Sequence, residues 1–319
     1  MTRAGTEPLS LLAAPLHLHM LKALQQGPLE PLDLHRAVGS PPQSTMRVYS
    51  RRLEKLGLLE RRRRSELQAA TQYRSTPAGE SLLGVAAYLQ EWLGEAPDGP
   101  IMLGSIAAKS ATKALIGGWS SNIVRAVAAR PLSLTDLNKL ILRISYPSLE
   151  RKLIAMRIAK MVEPQPGDSR GTPYRATEWL HRAVVPLTAA AAWELKYIQL
   201  PAAAISRTDI EAVFLLAVPL MSLDSQVTGR FRFSVELRGG TTPTHAGVLV
   251  HVEKGRVVSC STSLEGEAQT SISGSPMDWM RQMNGGPRGQ LEISGNRSVA
   301  QRLLDALRAT PKSLVLEMG

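Results

Sequence analysis

The feature that most restricts how this chain can fold is an internal repeat. Displacing the sequence by 103 residues sets Met20-Leu21-Lys22-Ala23-Leu24 on Ile123-Val124-Arg125-Ala126-Val127, apolar on apolar and basic on basic at every position. The same offset pairs Pro28-Leu29 with Pro131-Leu132, Asp33-Leu34 with Asp136-Leu137, Met46 with Leu149, Leu53 with Met156 and Glu60 with Glu163. Tyr73-Arg74-Ser75-Thr76 then matches Tyr174-Arg175-Ala176-Thr177 at an offset of 101. The second copy is therefore two residues shorter just before that point, where a loop tip tolerates a change of length. Self-similarity on this scale predicts one architecture built twice.

Local signals say what that architecture is. Leu12, Leu16, Met20 and Leu24 recur at helical spacing, so a helix is expected over 12–25, ended by Gly27-Pro28. A second helix near 30–38 closes at Gly39. Ser40 and Pro41-Pro42 open a third, because proline suits a first turn whose amides have no partners, and this helix runs to Leu56 with Gly57 as its stop. Its apolar face is Met46, Leu53 and Leu56, with Val48 and Tyr49 to the side, while Arg47, Arg51, Arg52 and Lys55 keep the rest basic. Leu58–Arg64 and Gln68–Ser75 read as two strands joined by a short basic tip. Three helices followed by a basic hairpin describe a winged helix-turn-helix.

Such a unit places its third helix in the DNA major groove, where base edges carry a distinguishable donor and acceptor pattern, and its wing on the adjacent backbone or minor groove. In the first copy the groove-facing candidates are Gln43, Ser44, Arg47 and Arg51, and Arg61, Arg62, Arg63 and Arg64 are wing contacts to phosphate. In the second, the helix from Ser145 to Ala159 begins with Ser145 as a cap and offers Tyr146, Ser148, Arg151 and Lys152, but Glu150 sets a carboxylate on the same face. Lys160 stands where the first copy has Gly57, and the turn-like wing 164–171 carries only Arg170 before Arg175. Base contact and a scaffolding role both remain open for this copy. Lys and Arg exceed Asp and Glu by 2 in residues 1–98, by 8 in 99–205 and by 1 in 206–319, so the total excess of 11 sits mainly in the middle third. That excess favours a polyanionic partner, double-stranded DNA.

Gly117-Gly118-Trp119, Arg130-Pro131-Leu132, Asp136-Leu137, Ser145 with Leu149, Leu153 and Met156, Val162-Glu163 and Pro173-Tyr174-Arg175-Ala176-Thr177 resemble the HxlR-type winged-helix regulators. Gly57-Leu58-Leu59-Glu60-Arg61 and Tyr73–Gly79 in the first copy are similar to HxlR or MarR types. The resemblance spans roughly residues 12–198. It implies a DNA-binding transcriptional regulator of a kind that has one unit per chain and dimerises through terminal helices. Two units in one chain leave open whether the molecule is a monomeric pseudo-dimer or a homodimer.

Beyond Pro201 the text changes. Asp209–Ser222 is strongly apolar and helical, and the strand-like runs 230–237, 246–252 and 256–260 follow, with turns at Gly239-Gly240 and Lys254-Gly255, as in an antiparallel meander. A strand over 268–273, a helix over 276–283, a strand over 289–293 and an amphipathic helix over 299–307 complete the region. Gly229-Arg230-Phe231-Arg232-Phe233, Trp279 and Ile293–Ala300 resemble the sterol carrier protein 2-like fold. That resemblance implies an apolar cavity between sheet and helices for a lipid-like or other hydrophobic small molecule, with Met221, Phe233, Met277, Trp279, Met280 and Met283 as candidate lining or, equally, as plain core. His245 and His251 are expected to face solvent.

The expected fold class is α+β: two winged helix-turn-helix domains, residues 1–98 and 99–205, mainly helical with small wings, then a sterol-carrier-like domain over 206–319 with an antiparallel sheet. One cysteine, Cys260, excludes an internal disulfide and a thiolate zinc site, so no metal and no cofactor is implied. Glycine-rich phosphate loops and nucleophile elbows are missing, and His17 and His19 have no nucleophile to serve, so the chain is not expected to be an enzyme. With no long apolar run and no leader pattern, a cytoplasmic protein without a membrane partner is expected. The leading functional reading is a transcriptional regulator tuned by a hydrophobic ligand; the alternative is a protein that sequesters a lipid or natural product and uses its helix-turn-helix units for protein contacts.

Overall fold

The computed structural model describes residues 5–63, 71–117, 120–142, 144–166, 171–198, 205–237, 244–284 and 290–316, without the side chains of Arg63 and of 310–316. The first copy runs α1 (Thr6–Leu12), α2 (Pro15–Gln25), α3 (Pro31–Ala37), α4 (Gln43–Lys55), β1 (Leu59–Arg63), β2 (Thr71–Ser75) and α5 (Pro77–Gly94). The helix expected from Leu12 starts at Pro15 instead, since proline sits in its first turn and cannot donate back to a preceding helix. The second copy runs α6 (Ile106–Ile116), α7 (Ser120–Ala129), α8 (Leu134–Leu140), α9 (Tyr146–Ile158), β3 (Val162–Pro164), β4 (Tyr174–Ala176), α10 (Glu178–Arg182) and α11 (Val184–Tyr197).

The correspondence reaches individual hydrogen bonds. Leu29 exchanges backbone bonds of 3.0 and 2.8 Å with Tyr73, and Leu132 exchanges bonds of 3.0 and 2.9 Å with Tyr174. Thr76 caps α5 by accepting from Gly79 and donates to the Gly57 carbonyl at 2.6 Å; Thr177 caps α10 by accepting from Leu180 and donates to the Lys160 carbonyl at 2.8 Å. Gly57 ends α4 with φ 68°, and Lys160 takes φ 58° at the matching place. A lysine there accepts the steric cost that glycine avoids, because the surrounding bonds fix the turn. The helix after the second wing is split at Ala183, since Pro186 has no N–H for the Arg182 carbonyl.

The last region contains α12 (Arg207–Ala217), a 3-10 turn at Val218–Leu220, β5 (Gly229–Leu237), β6 (Thr244–Glu253), β7 (Arg256–Ser261), β8 (Thr270–Gly274), α13 (Pro276–Met283), β9 (Glu292–Gly295) and α14 (Arg297–Leu316). The expected meander is present in β5-β6-β7, but the sheet as a whole is not antiparallel. Its order is β7-β6-β5-β8-β9, with β8 parallel to β5. After β7 the chain crosses to the far edge of β5, and the alternation of β8 is the same whichever way its neighbour runs. Between this sheet and its helices, Phe214, Phe233 and Trp279 form a cluster with ring centroids 4.9 to 5.9 Å apart, and the Trp279 indole donates to the Ser234 carbonyl at 2.8 Å.

This region docks on the second copy. α12 lies along α7, where Arg125 pairs with the buried carboxylate of Glu211, which also binds Arg207 at 2.7 Å, and the Ser121 hydroxyl donates to Asp209 at 2.7 Å. The first-copy counterpart of Arg125, Lys22, is exposed.

Candidate nucleic-acid interface

Helix α4 buries Met46, Ser50 and Leu53, three and four residues apart, and so turns Gln43, Ser44, Arg47, Val48, Arg51, Arg52 and Lys55 outward. All four groove-facing candidates of the first copy therefore share one exposed face. Arg47 and Arg51 have no ion-pair partner among the described residues, which leaves their guanidinium groups available for bidentate contacts. Arg52 is occupied: it donates to Glu7 of α1 at 2.7 Å and ties the helix to the body of the domain. That anchor is invisible to spacing rules because its partners lie 45 residues apart. Beneath α4, the ring of His17 meets that of Tyr49 with centroids 4.4 Å apart. His17 is 2% exposed, and burial with the nearby Arg52 charge lowers its pKa to about 4.

In the wing, Arg61 is exposed and pairs across the ladder with Tyr73, and Arg62 pairs with Gln72. Arg62 is partly neutralised by Glu60 at 2.9 Å. Arg63 lies in the ladder opposite Thr71, and Arg64 falls outside the described residues.

The second copy presents a different face. α9 buries Leu149, Leu153 and Met156. Tyr146, Glu150 and Arg151 are exposed and Ser148 half-buried, but the Arg151 guanidinium folds back on its own first turn, donating to the Pro147 carbonyl at 3.2 Å and to Ser148 at 3.3 Å. Ser145 stands at the cap position, yet its hydroxyl donates to Ser148 rather than accepting a helix amide. Lys152 does not share the exposed face. It lies half-buried towards α6, with Nζ 3.3 Å from where a Gly117 Cβ would stand, and burial together with the Lys113 charge lowers its pKa. Ile154 at 48% and Ile158 at 73% exposure complete an apolar surface that has no counterpart on α4 beyond Val48. In the hairpin, Arg175 is paired with Glu163 at 2.7 Å, and Arg170 falls outside the described residues.

The candidate ligand residues are dispersed. Trp279, Met280 and Met283 line a cavity of about 70 Å³ together with Leu115, Val124, Thr188 and Phe214. That cavity lies on the seam between the second copy and the last region, not between sheet and helices as expected, because the aromatic cluster fills the latter space. Phe233 belongs to that filling, Met221 faces a separate surface cleft beside Pro219 and Gly255, and Met277 is half-buried away from both. His245 is exposed, and His251 is half-exposed with Glu253 at 3.5 Å. Among the described residues no group of three or more His, Cys, Asp or Glu is placed to hold a metal, and no helix is long and apolar enough to cross a membrane.

No curated protein matches the chain. Residues 16–98 match the HxlR-like helix-turn-helix family, so the segment from α2 through α5 is a domain of the kind found in DNA-binding transcriptional regulators.

Proposed function

We propose that the chain is a transcriptional regulator that reads DNA through α4 and grips it with the β1–β2 wing. The observation that carries this reading is the free pair Arg47 and Arg51 beside Gln43 and Ser44 on the one exposed face of α4, within the segment that matches a helix-turn-helix family. Arg is suited to guanine and Gln to adenine in the major groove, while Arg61 to Arg64 supply sequence-independent hold on phosphate. The second copy, residues 99–205, is a further winged helix-turn-helix by its order of elements, and residues 206–319 form a sterol-carrier-like effector domain.

In this reading the effector is a small hydrophobic molecule entering the seam lined by Trp279, Met280 and Met283. A space of about 70 Å³ is far below the several hundred that small-molecule sites usually offer, so the flexible methionines must repack and the seam must widen for it to enter. Widening moves the last region relative to α7 and α11 and thereby changes how the second copy is held, which is the differential interaction that ligand control requires.

The test is binding of the full chain to genomic fragments as salt is raised. Several phosphate contacts predict a steep loss of affinity between about 50 and 200 mM salt. Absence of binding at low salt would refute the regulator reading.

A further inference from the structure

Two pairs of helices that join the copies are counterparts of each other, although α1 also packs along α11 without an equal contact between α5 and α6. At offsets of 103 and 101 residues, α1 corresponds to α6, and α5 to α10 with α11; in the structure α1 packs on α6, and α5 packs on α11. The side chains repeat the pattern. Trp92 of α5 donates its indole N–H to the Trp179 carbonyl at 2.9 Å, and Trp193 of α11 donates to the Ala78 carbonyl at 3.0 Å. Trp193 is Trp92 displaced by 101 residues, and Trp179 is Ala78 displaced by the same 101. If residue i of one half contacts j of the other, the counterpart of i contacts the counterpart of j, which is the signature of an isologous, two-fold interface. Two unrelated domains joined in tandem have no reason to meet in this way.

The symmetry is incomplete, once in the buried interface and more widely on the outward faces. Trp92 stacks on Trp179 with centroids 4.4 Å apart and planes 4° from parallel, while the reciprocal site has only Ala78. α7 is covered by α12, whereas the matching side of α2 leaves Lys22 exposed. α4 shows Arg47 and Arg51 free, whereas α9 shows Glu150, a folded-back Arg151, Ile154 and Ile158.

We propose that one chain is a complete, built-in dimer, and that its operator is a non-palindromic duplex in which the half beneath α4 is read base by base while the half beneath α9 is not. This rests on the DNA-binding reading above. A homodimer with two equal recognition helices selects a palindrome because its own two-fold axis coincides with that of the site. Here the axis relates helix positions and the Trp92 and Trp193 anchors but not the recognition side chains, so the matching DNA has one specified half.

The experiment has one arm without DNA and one with it. Free full-length chain is weighed in solution at micromolar concentration; a mass of one chain, 34.6 kDa, is expected, and a stable two-chain species overturns the built-in dimer. Duplexes selected by the full-length chain from genomic fragments are then sequenced and weighed in complex. One chain per duplex and sites with a single specified half are the expected result. Palindromic sites holding two chains overturn the proposal while leaving DNA binding intact, and failure to select any duplex at low salt overturns both. Rebuilding the selected site as a palindrome of its specified half should not tighten binding. Arg47→Ala should weaken the selected duplex by about tenfold or more and Arg151→Ala by clearly less; equal losses would remove the asymmetry.

Discussion

Helices α4 and α9 occupy equivalent positions in two copies of one sequence pattern, and they differ almost wholly on the side that faces away from the protein. Inward, Met46 and Leu53 of α4 match Leu149 and Met156 of α9, all buried. Outward, a face carrying two free arginines is replaced by one carrying a carboxylate and two exposed isoleucines. The comparison teaches that packing holds a duplicated fold in place while the surface is released from it. A core position is constrained by every neighbour it touches, whereas an exposed one answers only to its partner.

The strongest way to break that comparison is in the core. Leu53→Ala and Met156→Ala occupy matching sites and each should cost about 2–5 kcal/mol by chemical denaturation. A much smaller loss for Met156→Ala would mean that the second copy is not anchored as the first is.

A second contrast concerns buried charge. Glu194, 2% exposed on α11, corresponds to Leu93 in α5. Burial, with Glu7 nearby, raises its pKa from 4.5 to about 7, although the Gly5 amide donates to it. The folded chain then holds a proton that the unfolded chain has lost, so this group makes stability fall as pH rises from 4.5 to 7. His17 acts oppositely. Its pKa is lowered from 6.5 to about 4, so its contribution to stability is lost as pH falls through that window. Between pH 4.5 and 6.5 the two slopes offset each other. Glu194→Gln should unmask the His17 slope, a rise in stability of roughly 3 kcal/mol from pH 4 to 6.5 at about 1.4 kcal/mol per pH unit; a pH-independent variant would refute the burial account of His17.

On DNA the expected differences are smaller. Arg47→Ala should cost about 1–3 kcal/mol on a preferred duplex and little on a scrambled one, measured by fluorescence anisotropy. The smallest effect belongs to the wing. Arg61→Ala should weaken all sequences alike and reduce the salt slope by about 1, and Arg62→Ala should do less because Glu60 already engages that side chain. Equal effects on salt slope would show that the Arg62 pair opens on DNA.

Much of this is legible in the sequence. Periodicity and punctuation placed α3, α4 and the first hairpin within a few residues, since Pro42, Gly57 and the Met46–Leu53 stripe act locally. What sequence could not supply was who packs against whom. The parallel partner of β8, the fold-back of Arg151, the inward turn of Lys152 and the docking of α12 on α7 all depend on residues distant along the chain. Phe233 reads equally well as cavity wall or as core, and only its approach to Phe214 at 5.9 Å and to Trp279 at 5.7 Å decides for core. The expected antiparallel sheet failed for the related reason that two-residue alternation carries no direction.

The tethering of α5 to α11 has a consequence for how such a molecule can change over generations. Two separate subunits come apart on dilution, whereas halves joined by one backbone meet at the same effective concentration however scarce the chain becomes. A substitution in a homodimer appears on both sides of the axis at once, so a change that one side cannot tolerate is lost to the other as well. In this chain each appears once. Lys160 in place of Gly57 and Glu194 in place of Leu93 show that single-sided inheritance at work: each places a costly residue in one half only, while the other half keeps the cheaper solution.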